Sequence, residues 1–255
     1  MSVIKGIDVS HHQGTIDWGK VAKAGYRYAI LKATEGASYR DPTLVTNAHG
    51  AAAAGLEVGA YHFARLSSPP EAQADLFLTA THGLTLDMGL WLDYEDRDTK
   101  GTSPKSRTTW AERWVAKVRA SQPRVGWYAD QGFIASMLPS EAMRGIPLWI
   151  AAPSVVTPRT SWYGRPAAIQ QVDWHASVPG ISGDVDVNVG PNPWPKTPPP
   201  PPPAVKVLWR DPKTGDVFQP TGPDSGYHLS PVQLADLTAR GWTVIAHPTP
   251  TVVTR

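Results

Sequence analysis

The chain has 255 residues, 41% of them hydrophobic and 18% charged, with 24 Lys/Arg, 22 Asp/Glu and no cysteine. That length holds one barrel-sized domain plus an appendage and buries a core without covalent staples, while the missing thiols exclude a disulfide framework, a Cys-ligated zinc or iron site and a cysteine nucleophile. Six Lys/Arg and four Asp/Glu lie from Lys196 onward, leaving eighteen of each sign ahead of it; so neutral a front part carries no nucleic-acid footprint, and no such partner is expected.

In chain order, Val3–Val9 reads as a strand, Trp18–Ala24 as a short helix and Tyr28–Ala33 as a second strand. Asp41–Ala54 is an Ala-rich helix closed near Gly55, and Glu57–Phe63 is a third strand. Pro69–Thr81 is a helix with Ser68 as its start signal, and Gly89–Tyr94 is a fourth strand. Ser106–Ala120 carries Trp110, Trp114 and Val118 at helical spacing. Arg124–Tyr128, Leu148–Ala151, Ala168–Val172 and Val185–Val189 complete eight strands, and the stretch 153–166, rich in Pro, Ser and Thr, is irregular. Short strands alternating with helices predict an α/β fold, an irregular (β/α) TIM-like barrel over residues 1–190 with degraded helices on its late side. A doubly wound open sheet is the alternative, although no G-x-G-x-x-G follows the first strand.

Residues 191–203 form a proline-rich linker ending in six consecutive prolines, Pro198 to Pro203. Proline fixes φ and lacks a donor, so this segment is a polyproline II spacer. Residues 204–255 then predict a small α+β C-terminal module. Val205–Arg210 and Asp216–Gln219 flank a turn at Asp211–Gly215, Ser230-Pro-Val-Gln233 is a capping box opening a helix that stops at Gly241, and Trp242–Ala246 is a last strand. No run of eighteen apolar residues exists, so no membrane span is expected. Met1–Asp8 lacks the basic and long apolar regions of a standard signal peptide, which predicts a protein kept in a cytoplasm until it is released.

Chemistry-bearing residues fall at the ends of the proposed strands, where a (β/α) barrel places its active site. The sharpest feature is Trp91-Leu-Asp93-Tyr-Glu95. Strand alternation puts Asp93 and Glu95 on one face, about 6.6 Å apart at Cα. Two such carboxyls hold different protonation states, the requirement for cleaving a glycosidic bond. Asp8 ends the first strand, and Asp186 alternates with Val185 and Val187 in the last. The candidate catalytic set is therefore Glu95, Asp93, Asp8 and Asp186. Glu35 is either a further site acid or a rim residue. Tyr61, His62, Tyr94, Tyr128, Trp149 and Gln171 are candidate substrate contacts, the aromatic ones because flat faces stack on sugar rings. His11, His12 and His62 show no metal-ligand spacing, and Gly183–Asn188 lacks the glycine and terminal glutamate of a calcium loop, so no metal and no cofactor is expected.

Six segments in order carry a family resemblance: Asp8-Val-Ser-His-His-Gln-Gly-Thr-Ile-Asp-Trp18, Lys32-Ala-Thr-Glu-Gly36, Gly59-Ala-Tyr-His-Phe63, Leu92-Asp-Tyr-Glu95, Gln171-Val-Asp-Trp174 and Val185-Asp-Val-Asn188. Together they resemble glycoside hydrolase family 25, the Chalaropsis-type lysozymes common among bacteriophage endolysins. The resemblance covers residues 3–190 and implies an irregular (β/α) barrel. It also implies hydrolysis of the β-1,4 bond between N-acetylmuramic acid and N-acetylglucosamine in bacterial peptidoglycan, after release from a host cytoplasm to the cell wall. By that resemblance Glu95 matches the general acid and Asp93 the carboxylate that stabilises the oxocarbenium-like state or the reacting acetamido group. Asp8 and Asp186 match the other acids at the site floor. The family often has an aromatic directly after the glutamine, where this chain has Val172. An inactive wall-binding protein, or a hydrolase of another N-acetylated glycan such as chitin, are the alternatives. Residues 204–255 are expected to bind a secondary wall polymer.

Overall fold

The computed structural model describes residues 4–95, 101–153 and 167–194, together with strand residues between 207 and 252 and Leu234. The chain divides into two compact units, Met1–Lys196 and Thr197–Arg255.

The first unit is a closed barrel of β1 (Lys5–Val9), β2 (Tyr26–Glu35), β4 (Glu57–Phe63), β5 (Leu90–Asp93), β6 (Val125–Asp130), β7 (Leu148–Ala151), β8 (Ile169–Ala176) and β9 (Val185–Val189), with the short β3 (Tyr39–Arg40) added to β2. Pairing from β1 through β2, β4, β5, β6, β7 to β8 is parallel, whereas β9 runs antiparallel to both β8 and β1. The reversal has a simple cause. A parallel return needs a crossover of about a dozen residues or more, and only 177–184 separate β8 from β9. Gly180, at φ 97, lies so close to the start of the first helix that a Cβ would sit 2.4 Å from the Asp17 carbonyl oxygen.

Helices α1 (Trp18–Lys23), α2 (Leu44–Ala53), α3 (Pro70–Thr81) and α4 (Pro104–Arg119) follow the early strands. Only α5 (Gln131–Ala135) and α6 (Glu141–Arg144) stand between β6 and β7, the degraded late side the sequence predicts. Asp17 caps α1 by accepting from the Lys20 amide, and Ser103 caps α4 ahead of Pro104. Ser68 does not cap α3, whose N-cap is Pro69; its carbonyl instead accepts from the Gln73 amide group and the Trp110 indole.

Strand alternation separates two apolar layers. Leu31, Val58, Leu90, Leu92, Trp127 and Leu148 pack outward with the helices, while Tyr28, Ile30, Met88, Trp91, Tyr128, Trp149 and Ile169 fill the barrel interior. Trp194 closes this inner column from below, 5.5 Å from Trp91 between ring centroids. Gly89, at φ 71, makes room for it, since a Cβ there would lie 2.3 Å from the Trp194 ring. Asn192 donates to Glu57 and to the Asp87 carbonyl. The packed barrel therefore runs through Trp194 and takes in the first residues of the expected linker. The remaining linker residues, 195–203, lie outside the described residues.

The second unit holds β10 (Val207–Arg210), β11 (Val217–Gly222), β12 (Ser225–His228), β13 (Thr243–Ala246) and β14 (Thr251–Val252) in the order β13-β10-β11-β12-β14. The β10–β11 hairpin and the last predicted strand are present, and β10 pairs β13 in parallel. The helix predicted from Ser230 to Gly241 lies outside the described residues except for Leu234, which is helical.

Candidate active site

A cavity of about 300 Å³ opens at the barrel rim formed by the C-terminal ends of the parallel strands. Asp8, Glu35, Tyr61, Asp93, Glu95, Tyr128, Trp149, Gln171 and Asp186 all line it. Asp186 reaches this rim because β9 is reversed. It lies near the start of its strand, and in a parallel strand that end would sit at the barrel floor. The antiparallel register sets Asp8 directly opposite Asp186.

Two side-chain amides hold this cross-strand pair. Asn188 Nδ2 donates to Asp8 Oδ2 at 2.7 Å, and its Oδ1 accepts from Trp149 Nε1 at 2.8 Å. An indole N–H only donates, so Trp149 fixes which way the Asn188 amide points. Gln171 is oriented the same way. Its Oε1 accepts from Tyr128 Oη at 2.8 Å and Trp174 Nε1 at 2.7 Å, while its Nε2 donates to Asp8 at 3.0 Å and to Asp186 at 3.3 Å. Burial, followed by the charge of Asp186, pushes the Asp8 carboxyl well above the usual range. Burial likewise pushes Asp186 up to about 6. The two carboxyls face each other across the β1–β9 ladder, so charging both is unfavourable and one proton is held between them. The arrangement is a proton-holding pair in a frame of neutral donors.

Asp93 faces the pair from β5. It is 9% exposed, and its Oδ1 is buried without a hydrogen-bond partner among the described residues. Burial, then the charges of Glu95 and Asp8, push it well above the ordinary carboxyl range. Glu95, two residues on, is half-buried and lies at the cavity wall. A strongly desolvated carboxyl thus sits beside a wetter one, the asymmetry that assigns different protonation roles to neighbouring acids.

Glu35 is a rim residue engaged by cations. Its carboxylate accepts from Lys32 Nζ at 2.6 Å and from Arg65 Nε at 2.9 Å. Burial would raise it, but these two partners outweigh burial and hold it below its usual range. Lys32 and Arg65 both lie over the Phe63 ring at 5.1 Å. One side of the cavity is therefore basic and aromatic.

Two expected substrate contacts lie elsewhere. Tyr94 is fully buried on the outer layer, stacked on Trp110 at 5.3 Å, with its hydroxyl donating to the Arg107 carbonyl. The alternation that turns Asp93 and Glu95 inward turns Tyr94 outward. His62 is likewise fully buried, stacked on Trp114 at 5.6 Å. Gln73 spends its Nε2 on the Arg65 and Ser68 carbonyls, so its Oε1 faces His62 Nε2, which carries the ring proton. Burial pushes this imidazole down to about 4. His62 is a neutral structural group behind the strand that presents Tyr61 to the cavity.

Ser10, His12, Lys32 and Phe63 also line the cavity; they stand in the segments that carry the family resemblance but are not among the expected site residues. Ser10 and Gln13 form a reciprocal capping box around the single turn His11–Gln13, a signal visible as Ser-x-x-Gln. Among the described residues no group of His, Asp and Glu is arranged to hold a metal ion.

The family model for glycosyl hydrolases family 25 matches residues 7–181. Lysozyme M1 of Streptomyces globisporus is 34% identical over 208 residues, covering 73% of this chain and 67% of that protein. The solved bacterial lysozyme from Streptomyces coelicolor is 33% identical with a TM-score of 0.68, covering 74% of this chain and 92% of its own. The solved CTP1L endolysin, at 21% identity and a TM-score of 0.63, shares the fold over 95% of this chain and 81% of its own. The chain belongs to glycosyl hydrolase family 25 and is a lysozyme-type glycoside hydrolase.

Proposed function

We propose that the enzyme cleaves the β-1,4 bond between N-acetylmuramic acid and N-acetylglucosamine in peptidoglycan. The four candidate catalytic carboxyls, Asp8, Asp93, Glu95 and Asp186, come from three separate parts of the chain and converge on one cavity, and this observation carries the proposal. Glu95, at the cavity wall where a glycosidic oxygen can reach it, donates the one proton it shares with Asp93 to the leaving glycosidic oxygen as the bond to the anomeric carbon breaks. Asp93, whose buried Oδ1 has no hydrogen-bond partner among the described residues, accepts the N–H of the substrate's acetamido group or stabilises the developing positive charge. Asp8 and Asp186 keep the cavity floor strongly polar while holding a proton between them. Water then completes hydrolysis at the anomeric carbon, and Glu95 recovers its proton from that water. Mass analysis of products from defined peptidoglycan tests the bond assignment. Reducing muramic acid ends are expected, and reducing glucosamine ends would overturn it.

We infer further that the enzyme acts as an endolysin, held in a host cytoplasm until it reaches the wall, and that residues 204–255 retain it there on a wall polymer. Support comes from the two-unit chain with its proline-rich spacer, since a tethered second site raises residence at an insoluble substrate. No helix among the described residues is long and apolar enough to cross a membrane. Expression in host cells tests the first part, with lysis expected only after the membrane is permeabilised. Sedimentation with purified walls tests the second, and equal retention of the full chain and a chain ending at residue 203 would reject it.

A further inference from the structure

Strand β8 does not behave like its neighbours. It pairs β7 only through Gln171, then rises above the rim, paired with β9 alone. Gln171 faces Asn188 and Ala176 faces Val185, so five steps along β8 match three along β9. Two residues are therefore extra, and the ladder shifts register on both sides of Asp173. Bulges of this kind re-aim side chains beside active sites.

The side chain re-aimed here is Trp174. Three residues after Gln171, regular alternation would point it away from Gln171. Instead its Nε1 donates to Gln171 Oε1 at 2.7 Å, on the amide that binds Asp8 and Asp186. Yet Trp174 is 46% exposed. Its only polar atom is engaged inward, so the surface it offers to water is hydrocarbon. Its neighbours are pinned: the His175 amide donates to Asp173 Oδ1, and the His175 ring pairs with Asp184 across the hairpin at 2.9 Å. A large flat apolar face is thus left in solvent, held at a fixed angle, one amide group away from the acids.

We propose that Trp174 is a glycan-stacking platform that extends the cleft past the acid cavity. It takes the apolar face of a sugar ring not itself undergoing cleavage, and it buttresses Gln171 through the same indole. This rests on the lysozyme function proposed above. The ligand is an N-acetylated β-1,4 glycan long enough to reach beyond the acid pair. A ring face stacked on an aromatic contributes binding that grows with chain length, whereas a purely structural tryptophan contributes none.

The test uses the full chain with muropeptide-derived tetrasaccharide and octasaccharide. Trp174→Ala is expected to raise KM for the octasaccharide by about threefold to tenfold and to change the tetrasaccharide less. Trp174→Phe keeps a flat face and restores most of the octasaccharide KM. An unchanged KM for both lengths, an equal change for both, or no rescue by phenylalanine would each overturn the platform. Binding of the octasaccharide to the Glu95→Gln chain, with and without Trp174→Ala, gives a readout independent of turnover. If the wild-type chain cleaves neither oligosaccharide and Trp174→Ala still weakens octasaccharide binding, the hydrolase function fails while the platform stands.

Discussion

The two acid pairs reach one cavity by different routes. Asp93 and Glu95 need only a single strand and its extension, because alternation alone turns both inward. Asp8 and Asp186 come from opposite ends of the barrel sequence and meet only because β9 is reversed. The local pair has one member, Asp93, whose buried Oδ1 is without a hydrogen-bond partner among the described residues. The distant pair is framed by two amides, each oriented by a tryptophan that can only donate. The first is thus built to change its bonding during a reaction, and the second to keep it.

That contrast is open to breaking at several points. Glu95→Gln should lower turnover of wall suspensions by at least about a hundredfold with the thermal midpoint unchanged; near-normal lysis would remove Glu95 from its role. Asp186→Asn should have the next largest effect, on pH dependence. A carboxyl held at about 6 in the fold keeps a proton that the unfolded chain loses near pH 4, so it subtracts stability as pH rises through that window. His62, held down to about 4, acts oppositely, because the unfolded chain protonates there below about pH 6.5 while the fold stays neutral. Removing Asp186 should therefore make the slope of stability against pH more positive between about pH 4 and 6, measured by urea unfolding in a pH series. An unchanged slope would show that the Asp8–Asp186 proton is not retained on folding.

Smaller effects sharpen the comparison. Asn188→Leu leaves the Trp149 N–H without its acceptor and removes a donor from Asp8, and it should cost about 1–3 kcal/mol by denaturant titration. A neutral result would mean the amide frame is not holding the pair. Tyr94→Phe loses one hydrogen bond to the Arg107 carbonyl, about 1 kcal/mol of stability, and should leave KM and kcat within twofold. A raised KM would return Tyr94 to the substrate side.

Much of this architecture was legible from local patterns. The bounds of β4, β7 and β9 follow directly from the short apolar or alternating runs Glu57–Phe63, Leu148–Ala151 and Val185–Val189. Asp93 and Glu95 were readable from period two, and the same rule, applied to their neighbour, separates Tyr94 and His62 from the cavity. The two short helices α5 and α6 went unpredicted although Asp130 and Ser140 cap them, because five and four helical residues give too little periodicity to detect. Strand direction was harder still. The reversal of β9 shows only as a connection too short to cross over, and the two extra residues of β8 have no local signature at all. The reversal is settled by pairing with the distant β1 and the extra residues by the register with β9, which composition and spacing do not encode.

Trp194, wedged under Trp91 and admitted by Gly89, also bears on mechanics. It packs against the N-terminal edges of β5 and β6, at the end away from the acids. A load on this residue is borne by ring packing and by the Asn192 hydrogen bonds. The two acid pairs lie at the opposite end of the barrel, so strain placed on Trp194 is separated from the catalytic geometry by the packed interior column of Trp91 and Trp149.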